Sequence, residues 1–347
     1  MITIGFGVAT IANAIVLVAV YGLERIVAGA DTDARNLVAS RQGLGINAGM
    51  LVSGAVVLPV ANFFGGGIKG FVLMEVVFSI IGLIGYYLLF RATKEYDTPS
   101  TSADLEEENI RFIDMIKSAV GNRAAIAVFL ADVFRFFGYS MWFALIVYQC
   151  TYVLGDMNVM ILVLTITSFT GIVGSYLAYP ATRMIGGRKK TLIVICVLTG
   201  VCYFLIGPFG QTMWGFILAS SAACFFQSFY DCLSPMAYAD AGEYWLHEKG
   251  QDTRIYLMSL AAVPIQAAMA LASLGFAGVL MLIHYVPDTE MSAATANAFT
   301  WTLGIVPAIC YAIAFVLLVF VHGIPDKDIE RYIVKNEEKG FGMDMEM

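Results

Sequence analysis

Three ionisable residues lie inside long apolar stretches of the sequence, where a charge is costly to bury. Asp132 and Arg135 stand three positions apart in the run 124–150, and Asp231 lies in the run 212–239. A spacing of three places two side chains on one face of a helix, where opposite charges partly neutralise each other. At about 1.5 Å of rise per residue, all three lie roughly 12–17 Å from one end of their runs. They could line one aqueous cavity or form a structural ion pair between helices, and a gating pair would do both.

Aromatic and amide side chains accompany these charges on the same two runs. Aromatic rings can stack on apolar C–H faces of a small solute, and amides and carboxylates can bond its hydroxyl groups. The candidates for such contacts, besides the three charges, are Tyr139, Trp142, Gln149, Gln227 and Tyr230, with Gln266 as the main polar candidate of the run 255–284. Gln149 stands near the far end of its run, which makes its reach into a central site uncertain. The alternative is that the aromatic residues only pack helices or lie at a membrane–water interface.

The composition places the chain in a lipid environment. Of its 347 residues, 59% are hydrophobic and only 14% are charged, with a mean hydropathy of +0.77. A water-soluble globule of this size has about a quarter of its residues charged. The basic residues are scattered over short segments, so no nucleic-acid partner is expected. The six cysteines show no CxxC or Cys/His metal spacing, and we interpret them as small buried hydrophobes.

Nine apolar runs are long enough to cross a membrane as helices, since one crossing needs about 20 residues. The runs are 2–23, 43–64, 70–90, 124–150, 157–182, 191–207, 212–239, 255–284 and 299–322. Isolated strands cannot satisfy their backbone in lipid, and these runs lack the alternation of a membrane barrel. The sequence therefore predicts an all-α integral membrane protein.

The distribution of basic residues predicts the orientation of these runs. If 24–42 is a cytoplasmic loop, so are 91–123, 183–190, 240–254 and the tail, and together they hold 18 of the 20 Lys and Arg residues. The positive-inside rule then predicts an external N-terminus, a cytoplasmic C-terminus and a multi-pass protein of the plasma or inner membrane. At this cytoplasmic mouth Arg183 and Arg188 could form gating ion pairs with Asp240 and Glu243, or these residues could belong to plain solvated loops.

A long polar segment divides the chain unevenly. The stretch TKEYDTPSTSADLEEEN at 93–109 has the composition of a solvated linker, and it is followed by a short amphipathic stretch. It separates three runs from six. We predict a partial N-terminal half at 1–90, a cytoplasmic linker at 91–123, a six-helix C-terminal half at 124–323 and a cytoplasmic tail at 324–347.

Several motifs carry a resemblance to a known family. GRKK at 187–190 resembles the Gly-Arg-Arg/Lys loop between the second and third helices of each half of the major facilitator superfamily. DARNLVASR at 33–41, followed by a Gly-rich run, looks like the loop between the fourth and fifth helices of the glycoside–pentoside–hexuronide:cation symporters, the melibiose-permease type. YADAGEY at 238–244 is similar to that family's loop after the tenth helix. The resemblance covers helices four to twelve of twelve and implies a major-facilitator-like bundle whose first three helices are missing.

The resemblance implies a secondary active transporter that moves sugars or glycosides by alternating access, in symport with sodium or protons. The family's cation site uses acidic residues on its second and fourth helices, yet the second is absent and 2–23 has no Asp or Glu before Glu24. The sequence therefore lacks the usual sodium site of the family, and proton-coupled, facilitative and inactive copies are the alternatives. The alternative is a non-transporting polytopic protein that acts as a sugar-sensing or partner subunit. The expected partners are a sugar or glycoside and membrane lipid, with the protein a monomer, no cofactor and no metal.

No catalytic constellation accompanies these features. The histidines lie far apart in sequence, and no GxSxG, HExxH or GxxxxGK motif is present. The sequence therefore favours no enzyme class.

Overall fold

The computed structural model describes residues 32–94, 112–282 and 292–336, together with isolated helical positions between 12 and 27. All regular elements within these residues are helices, which confirms the predicted all-α membrane fold. The predicted run 2–23 lies almost wholly outside the described residues, so the count of nine spans stays a prediction. The helices are α1 Thr32–Phe63, α2 Gly67–Thr93, α3 Phe112–Gly121, α4 Arg123–Tyr148, α5 Asn158–Ile185, α6 Arg188–Phe204, α7 Ile206–Phe209, α8 Met213–Lys249, α9 Arg254–Ser259, α10 Ala262–Leu282, α11 Ala293–Val316 and α12 Asp326–Asn336.

Seven spans within the described residues are long and apolar enough to cross a membrane, so the protein is a multi-pass membrane protein. They are Gly67–Thr93, Arg123–Val153, Val159–Ile185, Arg188–Phe209, Met213–Lys249, Tyr256–Leu282 and Ala293–Val321. The predicted run 43–64 falls within α1. The short helices α3 and α12 lie where the amphipathic stretch and the charged tail were expected.

Two predicted loops are wrong in part, because helices continue past the ends of their apolar runs. Residues 32–42 form the start of α1, and residues 240–249 form the end of α8. No Gly or Pro interrupts 32–42, so nothing in the local sequence stops a helix there. The end of α8 comes only at Gly250, whose φ of 69° is the left-handed conformation that commonly terminates helices.

The predicted run 255–284 is divided into α9 and α10 by a turn at residues 260–261. Pro264 lies one turn further on, and it lacks the N–H that would bond the carbonyl of Leu260. The helix is therefore interrupted rather than merely kinked.

Helix α8 is the centre of the bundle. It packs against α4, α5 and α6, while α11 packs against α4 and α6 and α10 packs against α4. Helix α1 joins this group through α5 and α8, and α2 contacts α1. Only Gly70 and Met74 of α2 are buried, which is the surface expected of a helix that faces lipid. The polar residues that α4 and α8 carry thus face each other inside the bundle.

A close approach of α5 to α8 requires a glycine at position 174. A Cβ atom placed on Gly174 would overlap Ser228 Oγ and the carbonyl oxygen of Phe225. Small residues allow membrane helices to approach at backbone distance, where dispersion contacts replace the hydrophobic effect as the source of stability.

We expect Gly174→Val to lower the thermal midpoint of the detergent-solubilised protein by several degrees, because overpacking costs about 1–3 kcal/mol. Unfolding is followed with a thiol-reactive dye, since four of the six cysteines are buried in the folded state. The matched control is Gly278→Val on α10, where an added Cβ meets no atom within 4 Å. Equal midpoints for the two variants would contradict the close approach of α5 and α8.

Candidate functional site

A cluster of three charged side chains lies between α4 and α8, and we call Asp132, Arg135 and Asp231 the charge cluster. Arg135 donates from Nε to Asp132 Oδ1 at 3.3 Å and from Nη1 to Asp231 Oδ1. The side chains of Arg135 and Asp132 are 1% and 2% exposed, whereas that of Asp231 is 35% exposed. The three residues singled out in the sequence are therefore in direct contact.

The two carboxylates of the charge cluster have different surroundings. Asp132 Oδ2 accepts hydrogen bonds from Ser234 Oγ at 2.6 Å and from Tyr238 OH at 3.1 Å. Ser234 and Tyr238 follow Asp231 at helical spacing, so one face of α8 presents all three groups to α4. Asp132 is thus enclosed by donors, while Asp231 keeps one side open. The charge cluster thus combines one guanidinium with two carboxyl groups.

Aromatic rings surround the guanidinium of Arg135. Its Cζ lies 3.8 Å from the centre of the Phe136 ring and 4.6 Å from that of Tyr230. Both distances are within the range of cation–π attraction, which strengthens when the cation is desolvated. The charge of Arg135 is therefore held by two carboxylates and two aromatic faces.

A continuous row of aromatic rings extends from the charge cluster. Tyr139 stacks on Trp142 at 5.9 Å, Trp142 meets the edge of Tyr203 at 6.4 Å, and Tyr203 stacks on Tyr311 at 5.9 Å. Tyr203 OH also donates to Gln227 Oε1 at 2.8 Å. Four helices therefore contribute to one polar–aromatic region. Tyr203 and Tyr311 were not singled out in the sequence, because single tyrosines in apolar runs are too common to mark a site.

Three polar atoms of this region are buried without a hydrogen-bond partner among the described residues. They are Trp142 Nε1, Tyr230 OH and Tyr311 OH. Buried polar atoms are nearly always bonded, so an orphaned one calls for an explanation such as a ligand or water. Sugar hydroxyls both donate and accept hydrogen bonds, and could satisfy an indole N–H and a phenol.

The two remaining predicted amides, Gln149 and Gln266, form no hydrogen bond with the charge cluster among the described residues. Gln149 donates from Nε2 to the carbonyl of Gly210 at 2.8 Å and accepts from Thr300 Oγ1 at 3.1 Å. It stands fourteen positions from Arg135 on the same helical span, which is roughly 21 Å at about 1.5 Å per residue. Gln266 is half-buried on α10, and no hydrogen bond links it to the charge cluster within the described residues. The structure therefore keeps Gln149 away from the charge cluster, and the role of Gln266 stays a prediction.

A second ion pair lies at the end of the bundle where α6 begins, which we call the basic end. Arg188 bonds Asp240, donates from Nε and Nη2 to Asn36 Oδ1 at 3.1 and 2.9 Å, and donates to the carbonyl of Met236 at 2.9 Å. Arg188 and Asp240 are 6% and 4% exposed, which excludes the alternative of a plain solvated loop. The pair joins α6, α8 and α1.

Glu243 has partners other than the predicted Arg183 and Arg188. Arg254 at the start of α9 donates from Nη1 to both carboxylate oxygens of Glu243 at 3.2 Å. Asn336 of α12 donates to Glu243 Oε2 and to its carbonyl, both at 3.1 Å. Arg183 is exposed and lies 5.9 Å from the ring of Tyr179. These contacts join Glu243 on α8 to α9 and to the tail, and its pairing with the loop at 183–190 stays a prediction.

The electrostatics of Arg254 agree with a fixed charge at this position. Burial by itself lowers the pKa of Arg254, but its hydrogen bond to the Asp252 carboxylate and the charge of Glu243 raise it above the ordinary value. Arg254 therefore stays protonated next to Glu243.

Comparison with known sequences places this arrangement in a family. The model of the MFS/sugar transport proteins, where MFS denotes the major facilitator superfamily, matches residues 3–323. The chain belongs to this family. The resemblance to the melibiose-permease type, drawn from the motifs at 33–41, 187–190 and 238–244, is confirmed. Transport, and not enzyme chemistry, is the activity that characterises MFS/sugar transport proteins.

Relatives of this MFS/sugar transport protein include three that share about a fifth to a quarter of its residues. A protein described as a candidate sulfoquinovose importer of Escherichia coli strain K12 is 25% identical over 84% of this chain and 61% of its own length. The uncharacterized symporter YjmB of Bacillus subtilis strain 168 is 20% identical over 86% of this chain and 64% of its own. The raffinose carrier protein of Pediococcus pentosaceus is 23% identical over 82% and 45%. The chain thus spans less than two thirds of the length of these relatives.

Proposed function

We propose that the protein is a secondary transporter of sugars or glycosides that works by alternating access and is coupled to a cation. The observation that carries the proposal is the charge cluster, which lies within two membrane spans and beside a row of aromatic rings. Ionisable groups inside membrane spans mark substrate and ion pathways. Names of relatives that include a raffinose carrier and a symporter support the same reading.

In this proposal the polar–aromatic region recognises the sugar. The partly exposed carboxylate of Asp231 accepts hydrogen bonds from sugar hydroxyls, and Tyr139 and Trp142 stack on an apolar sugar face. Gln227 and Tyr230 supply further polar contacts, while Asp132 holds Arg135 in position. Gln149 has no part in this site, while Gln266 stays a predicted contact.

Alternating access needs a contact between the two sides of the pathway that can break. In the proposal this contact is Asn36 of α1 with the buried Arg188–Asp240 pair. Transporters of this kind bind substrate near the midplane and rock two bundles around it. The Arg188 contact would hold the basic end closed in one state and release it in the other. The concentration of basic residues supports a cytoplasmic location for this end and for the C-terminal tail in the cell membrane.

The test is counterflow of radiolabelled sugars in proteoliposomes without any ion gradient. We expect exchange of at least one glycoside from a panel of galactosides, glucosides, pentosides and a sulfonated sugar. Tyr139→Ala should reduce the exchange rate about tenfold, the effect of losing roughly 1.4 kcal/mol of sugar binding. Tyr87→Ala is the matched control, because Tyr87 lies exposed on α2. Binding of a sugar without exchange would instead favour a sugar-sensing subunit, and neither binding nor exchange would refute the proposal.

A further inference from the structure

We infer that the polar–aromatic region selects its sugar by charge, taking uncharged sugars and rejecting those that carry a sulfonate or carboxylate group. This inference rests on the proposed transport function and specifies the substrate class of the same site. It follows from three features of the region: the carboxylate on the open side of the charge cluster, the cover over its guanidinium, and the aromatic surface beside it.

The part of the charge cluster that a sugar can reach is a carboxylate. The side chain of Asp231 is 35% exposed, whereas those of Arg135 and Asp132 are 1% and 2% exposed. Asp231 accepts a hydrogen bond from Arg135, and a carboxylate oxygen can accept further hydrogen bonds but donates none. A sugar at this position therefore has to offer a donor. A hydroxyl group does so, whereas an ionised sulfonate or carboxylate offers only acceptors and a like charge.

The guanidinium of Arg135, which would attract an anionic sugar, is already covered. Its Nε and Nη1 donate to Asp132 and Asp231, and its Cζ lies 3.8 and 4.6 Å from the ring centres of Phe136 and Tyr230. Arginine binds anionic groups through the fork of its N–H donors, and here two carboxylates hold that fork. An anionic substituent would have to displace Asp231 and then compete with both carboxylates for one cation.

The aromatic surface of the region also suits an uncharged ring. Tyr139 stacks on Trp142 with ring centres 5.9 Å apart, and the face of an aromatic ring is the negative end of its quadrupole. Such a face attracts the C–H bonds of a sugar and repels an anion. Trp142 Nε1 and Tyr230 OH have no hydrogen-bond partner among the described residues. These groups can bond sugar hydroxyls, but they carry no charge that would balance an anion.

The size of a monosaccharide makes the repulsion hard to avoid. An anionic group on C6 stays within a few ångströms of every hydroxyl on the same ring, so it remains near Asp231 whichever hydroxyl bonds the carboxylate. Charge–charge interactions over such distances are weakly screened in a site that excludes bulk water. Selection by charge therefore does not depend on one particular orientation of the sugar.

The experiment compares matched sugars as inhibitors of counterflow in proteoliposomes at pH 7, where a uronate carboxyl is ionised. One series is methyl xyloside, methyl glucoside, methyl glucuronide and a methyl glucoside with a sulfonate on C6. The other is methyl arabinoside, methyl galactoside and methyl galacturonide. Within a series the ring is the same and only the group on C5 changes. For the series of the exchanged sugar, we expect the better uncharged member to inhibit at a concentration at least tenfold lower than any anionic member.

Asp231→Asn tests whether the carboxylate is the source of the selection. The amide has nearly the same shape, lacks the negative charge and offers an N–H donor to an anionic group. The variant also weakens binding of uncharged sugars, because Asp231 contacts the sugar in the proposed function. The measured quantity is therefore the ratio of anionic to uncharged inhibition constants, which we expect to fall at least fivefold. Glu75→Gln is the matched control, since Glu75 is another carboxyl within a span but lies exposed on α2, and its ratio should not change.

The inhibition series in the unmodified protein needs no variant, so the inference stays testable if Asp231→Asn does not fold. Inhibition by an anionic sugar that equals or exceeds that of its uncharged partners would overturn the inference and leave the proposed function intact. A ratio that is the same in Asp231→Asn and in the unmodified protein would overturn it as well. Absence of exchange for every sugar would instead refute the proposed function itself.

Discussion

Arg135→Ala is expected to abolish sugar exchange and to destabilise the protein by about 3–5 kcal/mol, the usual cost of removing one partner from a buried ion pair. Asp132 would then lie buried opposite Asp231 with no positive charge between them. Arg135→Ala thus leaves two carboxyl groups without a cation between them. Asp231→Asn, in contrast, leaves the Asp132–Arg135 pair intact. The thermal midpoint of the detergent-solubilised protein and its counterflow rate measure the two effects.

The relative stability of the variants tests the role of Arg135 most sharply. Arg135→Ala should be far less stable than Asp231→Asn, and adding Asp132→Asn to Arg135→Ala should recover part of the lost stability. Arg91→Ala is the matched control, since Arg91 is exposed at the end of α2. A midpoint for Arg135→Ala close to that of Arg91→Ala would mean that the charge cluster is not buried as described.

Arg188→Ala is expected to destabilise the protein by a similar amount, about 3–5 kcal/mol, and to slow exchange at least tenfold. It leaves Asp240 buried without its guanidinium, and it removes the hydrogen bonds that join Asn36 of α1 to the basic end. The closed state of that end is therefore lost along with the ion pair. Midpoint and counterflow rate again measure the change.

A double variant that also removes the carboxylate charge distinguishes the effect of losing the ion pair from the effect of losing the link to α1. Arg188→Ala with Asp240→Asn should regain stability, because no unpaired carboxylate remains, yet exchange should stay slow because Asn36 still has no partner. Lys190→Ala is the matched control, with an exposed side chain two positions away and an expected effect within about 0.5 kcal/mol. Full recovery of exchange in the double variant would show that the contact with Asn36 has no role in gating.

The membrane fold and the charge cluster could be predicted from sequence because each leaves a distinctive pattern, long apolar runs in one case and rare charges within those runs in the other. Apolar runs of about 20 residues have few alternatives to a spanning helix. A charge within such a run is rare, and the spacing of Asp132 and Arg135 puts both on one helix face. Asp231 lies at a similar depth in its own run, and this depth predicts that it lies close to the other two charges.

The ends of helices could not be predicted from the same signal. Hydropathy reports where lipid ends, whereas a helix ends where its backbone hydrogen bonds end. Residues 240–249 are polar, which predicts a loop, yet they are helical as far as Gly250 and bury Asp240 and Glu243. The partner of Glu243 was missed for a related reason, since Arg254 reaches it only because α9 folds back along α8.

Helical periodicity also misplaced Gln149. It follows Trp142 by seven positions and therefore shares its face, but periodicity alone does not weigh distance along the axis. At the far end of its span it bonds Gly210 and Thr300 and so joins α4 to the loop before α8 and to α11. Tyr203 of α6 and Tyr311 of α11 show the opposite case. No sequence pattern distinguishes them from other tyrosines, yet helix packing places them in the polar–aromatic region.

The most direct measurement of the central claim is the reactivity of a cysteine at the charge cluster in the presence of sugar. Asp231→Cys, in a background where the six native cysteines are replaced by alanine or serine, is treated with a water-soluble thiol reagent in membranes. The account predicts that the thiol reacts and that a transported sugar slows its reaction at least fivefold, while a sugar that is not exchanged has no effect. A thiol that stays unreactive, or one whose reaction is indifferent to every exchanged sugar, would contradict the placement of the sugar pathway at this charge cluster.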